Sequence, residues 1–101
     1  MPRVLAEERA EAIEAAAWYD REKFGLGDQL LGEIERALDR IESDPQGFPL
    51  LELPSGTHEI RRCVLKRFPY LVLFTIRSEE TTVIAISHGR RRPSYWRDRL
   101  G

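Results

Sequence analysis

Six side chains able to do chemistry crowd into the stretch ISHGRRRPSYW, running from Ile86 to Trp96: His88, Arg90, Arg91, Arg92, Tyr95 and Trp96. A histidine can shuttle a proton near neutral pH, arginines can hold a phosphate through paired hydrogen bonds, and a tyrosine can stack on a base. Plainer roles suit the same residues. His88 can be a hydrogen-bonded strand end, Trp96 can plug the core, and the arginines can be solvated. Three adjacent like charges repel one another, so an anionic partner for Arg90, Arg91 and Arg92 stands level with the solvated reading. Pro93 has the fixed φ and missing donor of a first helical position, which predicts a short C-terminal helical turn over Pro93-Ser94-Tyr95-Trp96.

Two further clusters read as architecture. In Glu59-Ile60-Arg61-Arg62, strand alternation sends the two arginines to opposite faces, and one is expected to pair with Glu59 or with an acidic helix residue. In LKRFPYLVLF, Lys66 and Arg67 sit at a turn, and Pro69, which cannot donate a ladder bond, helps set the hairpin register. Other chemistries are missing. The chain has no glycine-rich phosphate loop, no HExxH, and no serine or cysteine nucleophile within a motif. His58 and His88 are too few and too scattered for zinc, so neither metal nor cofactor is expected.

These clusters need elements to hold them. At 101 residues, with about two fifths of them apolar, the chain is expected to form one domain over residues 1–101. Cys63 is the only cysteine, which rules out an internal disulfide and suits a reducing cytoplasm. Met1-Pro2-Arg3 leads straight into a charged, alanine-rich helix, unlike a signal peptide, and no apolar run approaches the roughly 20 residues of a bilayer span. Charge is divided. Residues 1–57 hold six basic and thirteen acidic residues, a balance of −7, and residues 58–101 hold ten and four, a balance of +6. The basic half offers a patch to an acidic partner, or else the halves neutralise each other across the fold.

Ala6, Ala10, Ile13 and Ala17 recur at helical spacing, predicting an amphipathic helix that ends near Phe24-Gly25. Its mostly alanine stripe allows close packing. Leu30 or Leu31, Ile34, Ala37 or Leu38, and Ile41 mark a second helix, begun near Gly27-Asp28 and stopped before Pro45. A break of two or three residues makes the pair an antiparallel hairpin. A loop from Pro45 to Gly56 follows, rich in proline and glycine. The period then falls to two, predicting strands over Thr57–Leu65, Tyr70–Arg77 and Thr82–Ser87 in an antiparallel meander, with Tyr70–Ile76 central. The fold class is α+β: an N-terminal antiparallel helical hairpin packed on a small antiparallel sheet of three to four strands, with a short C-terminal helical turn.

Three stretches in this order carry a resemblance: AAAWYDREKFGLGDQLLGEIERALDRIESDP, EIRRCVLKRFPYLVLFTI and VIAISHGRRRPSYW. Together they resemble the RelE/ParE superfamily of type II toxin–antitoxin toxins over roughly Ala6 to Arg99, with RFPY and H-x-x-R-R-P-x-Y-W the most specific pieces. The resemblance implies a short cytoplasmic bacterial toxin that inhibits growth, serves plasmid stabilisation, and is held inactive by a cognate antitoxin. Members of this superfamily usually begin with a strand. Only Pro2 to Leu5 precede the helix here, so that strand is expected to be short or missing, leaving a sheet edge open to an antitoxin segment or to a second copy. A homodimer and a toxin–antitoxin hetero-oligomer are the assemblies this allows.

The superfamily has two activities. RelE-like members cleave mRNA in the ribosome; ParE-like members inhibit DNA gyrase and have no known nuclease site. The nuclease branch relies on basic residues on the sheet, an arginine after the last strand and a nearby tyrosine. Against that pattern Arg62 falls on a sheet lysine, Arg91 on the arginine, and Tyr95 close to the tyrosine. A nuclease built here would use Arg62, His88, Arg91 and Tyr95. Yet Val64 stands where the lysine implicated as base belongs, and Leu71 replaces an arginine. Neither can move a proton or stabilise a phosphorane. The acidic overall balance also disfavours docking among ribosomal phosphates. The expectation is therefore a gyrase-directed, ParE-like toxin without catalysis, using Arg90, Arg91, Arg92, Tyr95 and Trp96 to hold its target or partner. The alternatives are a ribosome-dependent mRNA endonuclease and a degenerate, harmless member.

Overall fold

A computed structural model of the chain describes residues 3–51 and 59–88. Its elements are β1 (Arg3–Val4), α1 (Ala6–Glu22), α2 (Leu26–Ser43), a 3-10 turn at Pro45–Gly47, β2 (Ile60–Val64), β3 (Tyr70–Arg77) and β4 (Glu80–His88). The four strands lie in the order β1-β4-β3-β2. Both hairpins are antiparallel, whereas β1 runs parallel to β4 through Arg3–Thr82 and Val4–Val83. The expected α+β fold is present, with the sheet mixed rather than wholly antiparallel. The N-terminal strand exists but is two residues long. The C-terminal turn predicted from Pro93 lies outside the described residues, as do Arg90, Arg91, Arg92, Tyr95 and Trp96.

Helix α2 buries Leu30, Ile34, Ala37, Leu38 and Ile41, the stripe its spacing predicts, against Cys63, Val72, Phe74 and Val83 of the sheet. Asp28 lies in its first turn, where the helix dipole favours an anion. Helix α1 turns a different stripe inward from the one its alanines suggest. Ala12 and Ala16 are buried, with Ala15 and Tyr19 packed beside them, while Ala6, Ala10, Ala17 and Ile13 face outward, Ile13 with 64% of its surface exposed. The helix carries two small-residue stripes, and the inward one is chosen by its partners. Ala16 lies under α2, where the missing side chain of Gly27 matters: a Cβ on Gly27 would stand 2.3 Å from the Ala16 carbonyl oxygen.

The helical hairpin closes over Lys23, Phe24 and Gly25. Gly25 takes the left-handed φ of +92° that ends α1 and starts α2, and the Gly27 amide donates to the Asp20 carboxylate at 2.8 Å. At the other tight turn, Ser78 and Glu79 both have positive φ, 49° and 67°, the pattern of a two-residue type I′ hairpin made here without glycine. β3 and β4 consequently begin pairing at Arg77–Glu80, two residues before the predicted start of the last strand. A bulge between Leu73 and Phe74 shifts the register further along. On the far side of β2, Leu50 forms an isolated antiparallel bridge with Arg61.

Because β1 is so short, it covers β4 only at Thr82 and Val83. The unpaired edge beyond is met by a side chain. Glu8 of α1 is fully buried, and its Oε2 accepts a hydrogen bond from the Ile86 amide. A carboxylate thus stands where a longer first strand would have supplied a carbonyl, so an edge donor that burial would leave unpaired is satisfied.

Candidate functional site

The sheet has two apolar faces, and they sort the candidate residues. Cys63, Leu65, Val72 and Phe74 belong to the core under the helices, whereas Ile60, Leu73, Ile84 and Ala85, with Leu51 and Leu71, form a second cluster on the opposite face. Alternation along β2 places Arg62 and Val64 with Ile60 on this second face. The register sets Arg62 opposite Leu73, and Val64 opposite Leu71. The two positions singled out as apolar in sequence are therefore cross-strand neighbours. Val64 keeps 60% of its surface exposed, and Arg62 beside it is exposed as well. This stretch of sheet presents one guanidinium and an apolar pair.

His88 lies on the other side. It pairs in register with Tyr70, and their rings meet edge to face at 5.6 Å. Tyr70 also contacts Tyr19 of α1 at 6.3 Å, and Tyr19 in turn packs on Trp18 and Phe68 at 5.0 and 5.1 Å. Arg62 and His88 are thus on opposite faces of the sheet and do not converge. Arg91 and Tyr95, the other members of the would-be nuclease set, lie outside the described residues. Burial, with Tyr19 and then the Glu11 carboxylate beside it, holds the Tyr70 phenol above its ordinary value of 10.0. Such a phenol stays protonated and hydrogen-bond capable at neutral pH.

Of the two arginines, one of which is expected to meet a carboxylate, Arg61 binds backbone instead. Its Nη1 donates to the backbone carbonyls of Phe48 at 2.7 Å and Gln46 at 3.2 Å, tying β2 to the segment after α2. Neither Glu59 nor a helix carboxylate takes that role. A backbone acceptor leaves no mark in sequence, so this partner could not have been read there. The turn between β2 and β3 is fixed in a comparable way: Glu33 of α2 accepts the amides of Lys66 and Arg67 at 3.1 and 3.2 Å through Oε1. Arg67 also donates to the Gln29 side chain. Lys66 and Arg67 are therefore turn residues whose backbone is anchored, in keeping with an architectural role.

Cys63 is buried and reduced, with the Arg40 guanidinium 3.6 Å from its sulfur. Burial pushes its thiol up from 9.0, and Arg40 offsets part of that rise. A protonated, enclosed thiol is a poor nucleophile. Among the described residues no group of three His, Cys, Asp or Glu could hold a metal ion, and no helix is long and apolar enough to cross a membrane.

Among the described residues, a helical hairpin lies on one face of a four-stranded sheet, and an apolar patch with the Arg62 guanidinium lies on the other, without a converged acid–base pair. That arrangement defines a small α+β protein with a helical hairpin on a mixed sheet. Residues 5–93 match the family of the ParE toxin of the type II toxin–antitoxin system, parDE, and the chain belongs to that family. Its expected partner is accordingly an antitoxin. No curated protein sequence matches the chain.

Proposed function

We propose that this toxin acts by protein–protein contact, inhibiting DNA gyrase, and does not cleave RNA. One observation carries the reading: Val64 and Leu71 face each other across β2 and β3 where the nuclease branch of the superfamily needs cations. An apolar pair cannot supply the proton transfer or charge neutralisation that phosphodiester cleavage demands, but it suits a protein surface. The separation of Arg62 from His88 by the thickness of the sheet supports the same reading. In this proposal Arg62, Val64 and Leu71, with Arg90, Arg91, Arg92, Tyr95 and Trp96, hold the target. The protein works in a bacterial cytoplasm as the toxin of a stabilisation module.

The test uses the purified chain in two assays run side by side. Gyrase supercoiling is expected to fall as the chain is added, while mRNA in a translating extract stays intact. Persistent supercoiling at excess toxin sinks the gyrase reading. Codon-edge cleavage lost in Arg91→Ala would install the ribosome-dependent nuclease in its place, and absence of both effects, with no growth defect on expression, would mark a harmless member.

A further inference from the structure

The Val64 end of β2 belongs to the patch assigned to the target, and the sheet holds that end from one side. β2 is an edge strand whose inner side pairs with β3, and just past its end the Leu65 amide donates to the Tyr70 carbonyl at 3.0 Å. Its outer side is paired only in part. The Leu51 amide donates to the Ile60 carbonyl at 2.6 Å, and the Arg62 amide donates to the Pro49 carbonyl at 3.1 Å. Proline has no N–H to give in return, so this outer pairing stops at Arg62. Val64, the next outward position, makes no backbone bond on that side among the described residues. Beyond it the chain is fixed at the Lys66–Arg67 turn. Two side chains of α2, Gln29 and Glu33, stand one helical turn apart and grip that turn. Glu33 Oε1 accepts the Lys66 and Arg67 amides at 3.1 and 3.2 Å, and Gln29 accepts the Arg67 guanidinium.

Glu33 holds this turn at a cost. The residue is 8% exposed, and its second oxygen, Oε2, is enclosed with no hydrogen-bond partner among the described residues. A buried carboxylate with an idle oxygen lowers stability, whereas a glutamine could accept the same two amides without burying a charge. The charge has a different effect. An N–H bond to a carboxylate is stronger than one to a neutral amide, so the turn is held more tightly. We propose that Glu33 is a positioning residue for the target patch, fixing the β2–β3 turn so that Val64 stays opposite Leu71 on the exposed face. The proposal rests on the reading of that patch as the target surface. It assigns the stability lost at Glu33 to function: a side chain of α2, from the helical side of the sheet, sets the geometry of a surface on the other side.

The experiment compares the full chain with Glu33→Ala and Glu33→Gln in amide hydrogen exchange, urea denaturation and gyrase supercoiling, with circular dichroism to show that each variant is folded. In Glu33→Ala the Lys66 and Arg67 amides are expected to exchange on the order of ten-fold faster than the variant's overall stability accounts for. The Val72 amide of β3 should follow overall stability alone. Inhibition of supercoiling is expected to need about ten times more of this variant. Glu33→Gln keeps an acceptor oxygen without the charge. It should fall between the other two chains in turn exchange and in inhibition, yet resist urea at least as well as the wild type. That opposite movement of stability and inhibition is the mark of a positioning role, and Glu33→Gln alone decides the matter if Glu33→Ala does not fold. Wild-type inhibition by a folded variant whose turn amides exchange faster overturns the proposal. Stability and inhibition falling in parallel in both variants also overturns it, in favour of a purely structural carboxylate. If the wild-type chain leaves supercoiling intact, the gyrase reading itself falls and takes this proposal with it, an outcome seen before any variant is compared.

Discussion

Glu8 and Cys63 show how single buried groups set the properties of this small protein. Glu8 is fully enclosed, and its carboxylate satisfies the Ile86 amide. Glu8→Ala removes a buried acceptor and leaves the Ile86 amide unpaired, so it is expected to lower stability by about 1–3 kcal/mol in urea denaturation. Glu8→Gln retains an oxygen at that place and should lose less. Cys63 gives a pH dependence. Its folded-state thiol holds its proton more tightly than the unfolded chain does, because burial raises its value above 9.0. The stability this contributes is complete below that pH and is lost as pH climbs through the thiol range. Urea midpoints should fall between pH 8 and pH 10, and the fall should be smaller in Cys63→Ala; an equal fall in both would assign it to another group, with Tyr70 next in line. Sequence made neither residue conspicuous in this way. A glutamate among Glu7, Glu8 and Glu11 reads as a solvated helix face, and its partner amide is far away in the chain.

At the level of elements, legibility followed the strength of the periodic signal. Leu30, Ile34, Leu38 and Ile41 are large, and their spacing announced both the helix and its buried face. The alanines of α1 announced the helix but not the face, because a methyl group adds little burial energy and two such stripes compete. What decides between them is Gly27 approaching Ala16, a contact between elements. Strands rich in Val, Ile and Leu were plain from their alternation, and the cross-strand meeting of Val64 with Leu71 follows from a register that Pro69 and the short turn help to fix. Strand β1 was foreseeable only as a remnant, since two residues carry no period. The Ser78–Glu79 turn holds two non-glycine residues in the left-handed region at a cost of roughly 1–2 kcal/mol each. Glu79→Gly should therefore raise stability by about 1 kcal/mol in thermal or urea unfolding without changing antitoxin binding. A destabilised variant would show that the Glu79 side chain contributes more than the strain costs.

At the scale of the whole molecule, the exposed Val64 and its neighbour Leu71 lie on the sheet face opposite the helices. Val64→Arg introduces a charge on an exposed strand position. It is expected to abolish growth inhibition on expression while leaving antitoxin affinity within about two-fold, since surface changes away from a contact are usually worth under 0.5 kcal/mol. Simultaneous loss of both activities in a folded Val64→Arg chain would mean that antitoxin and target share one surface. The division of charge between the halves of the sequence hinted at two surfaces but could not assign them, because Arg61 and Arg62, adjacent in the chain, end on different faces.

The bond between Glu8 and Ile86 also has a meaning in time. Its partners are 78 positions apart. At the usual 5–20 residues per second of synthesis, about 4–16 s separates the making of one from the making of the other. Through that interval α1 has its helical sequence but not the strand edge that receives its carboxylate. The contact that seals α1 onto the edge of β4 can therefore form only after the last strand has been made.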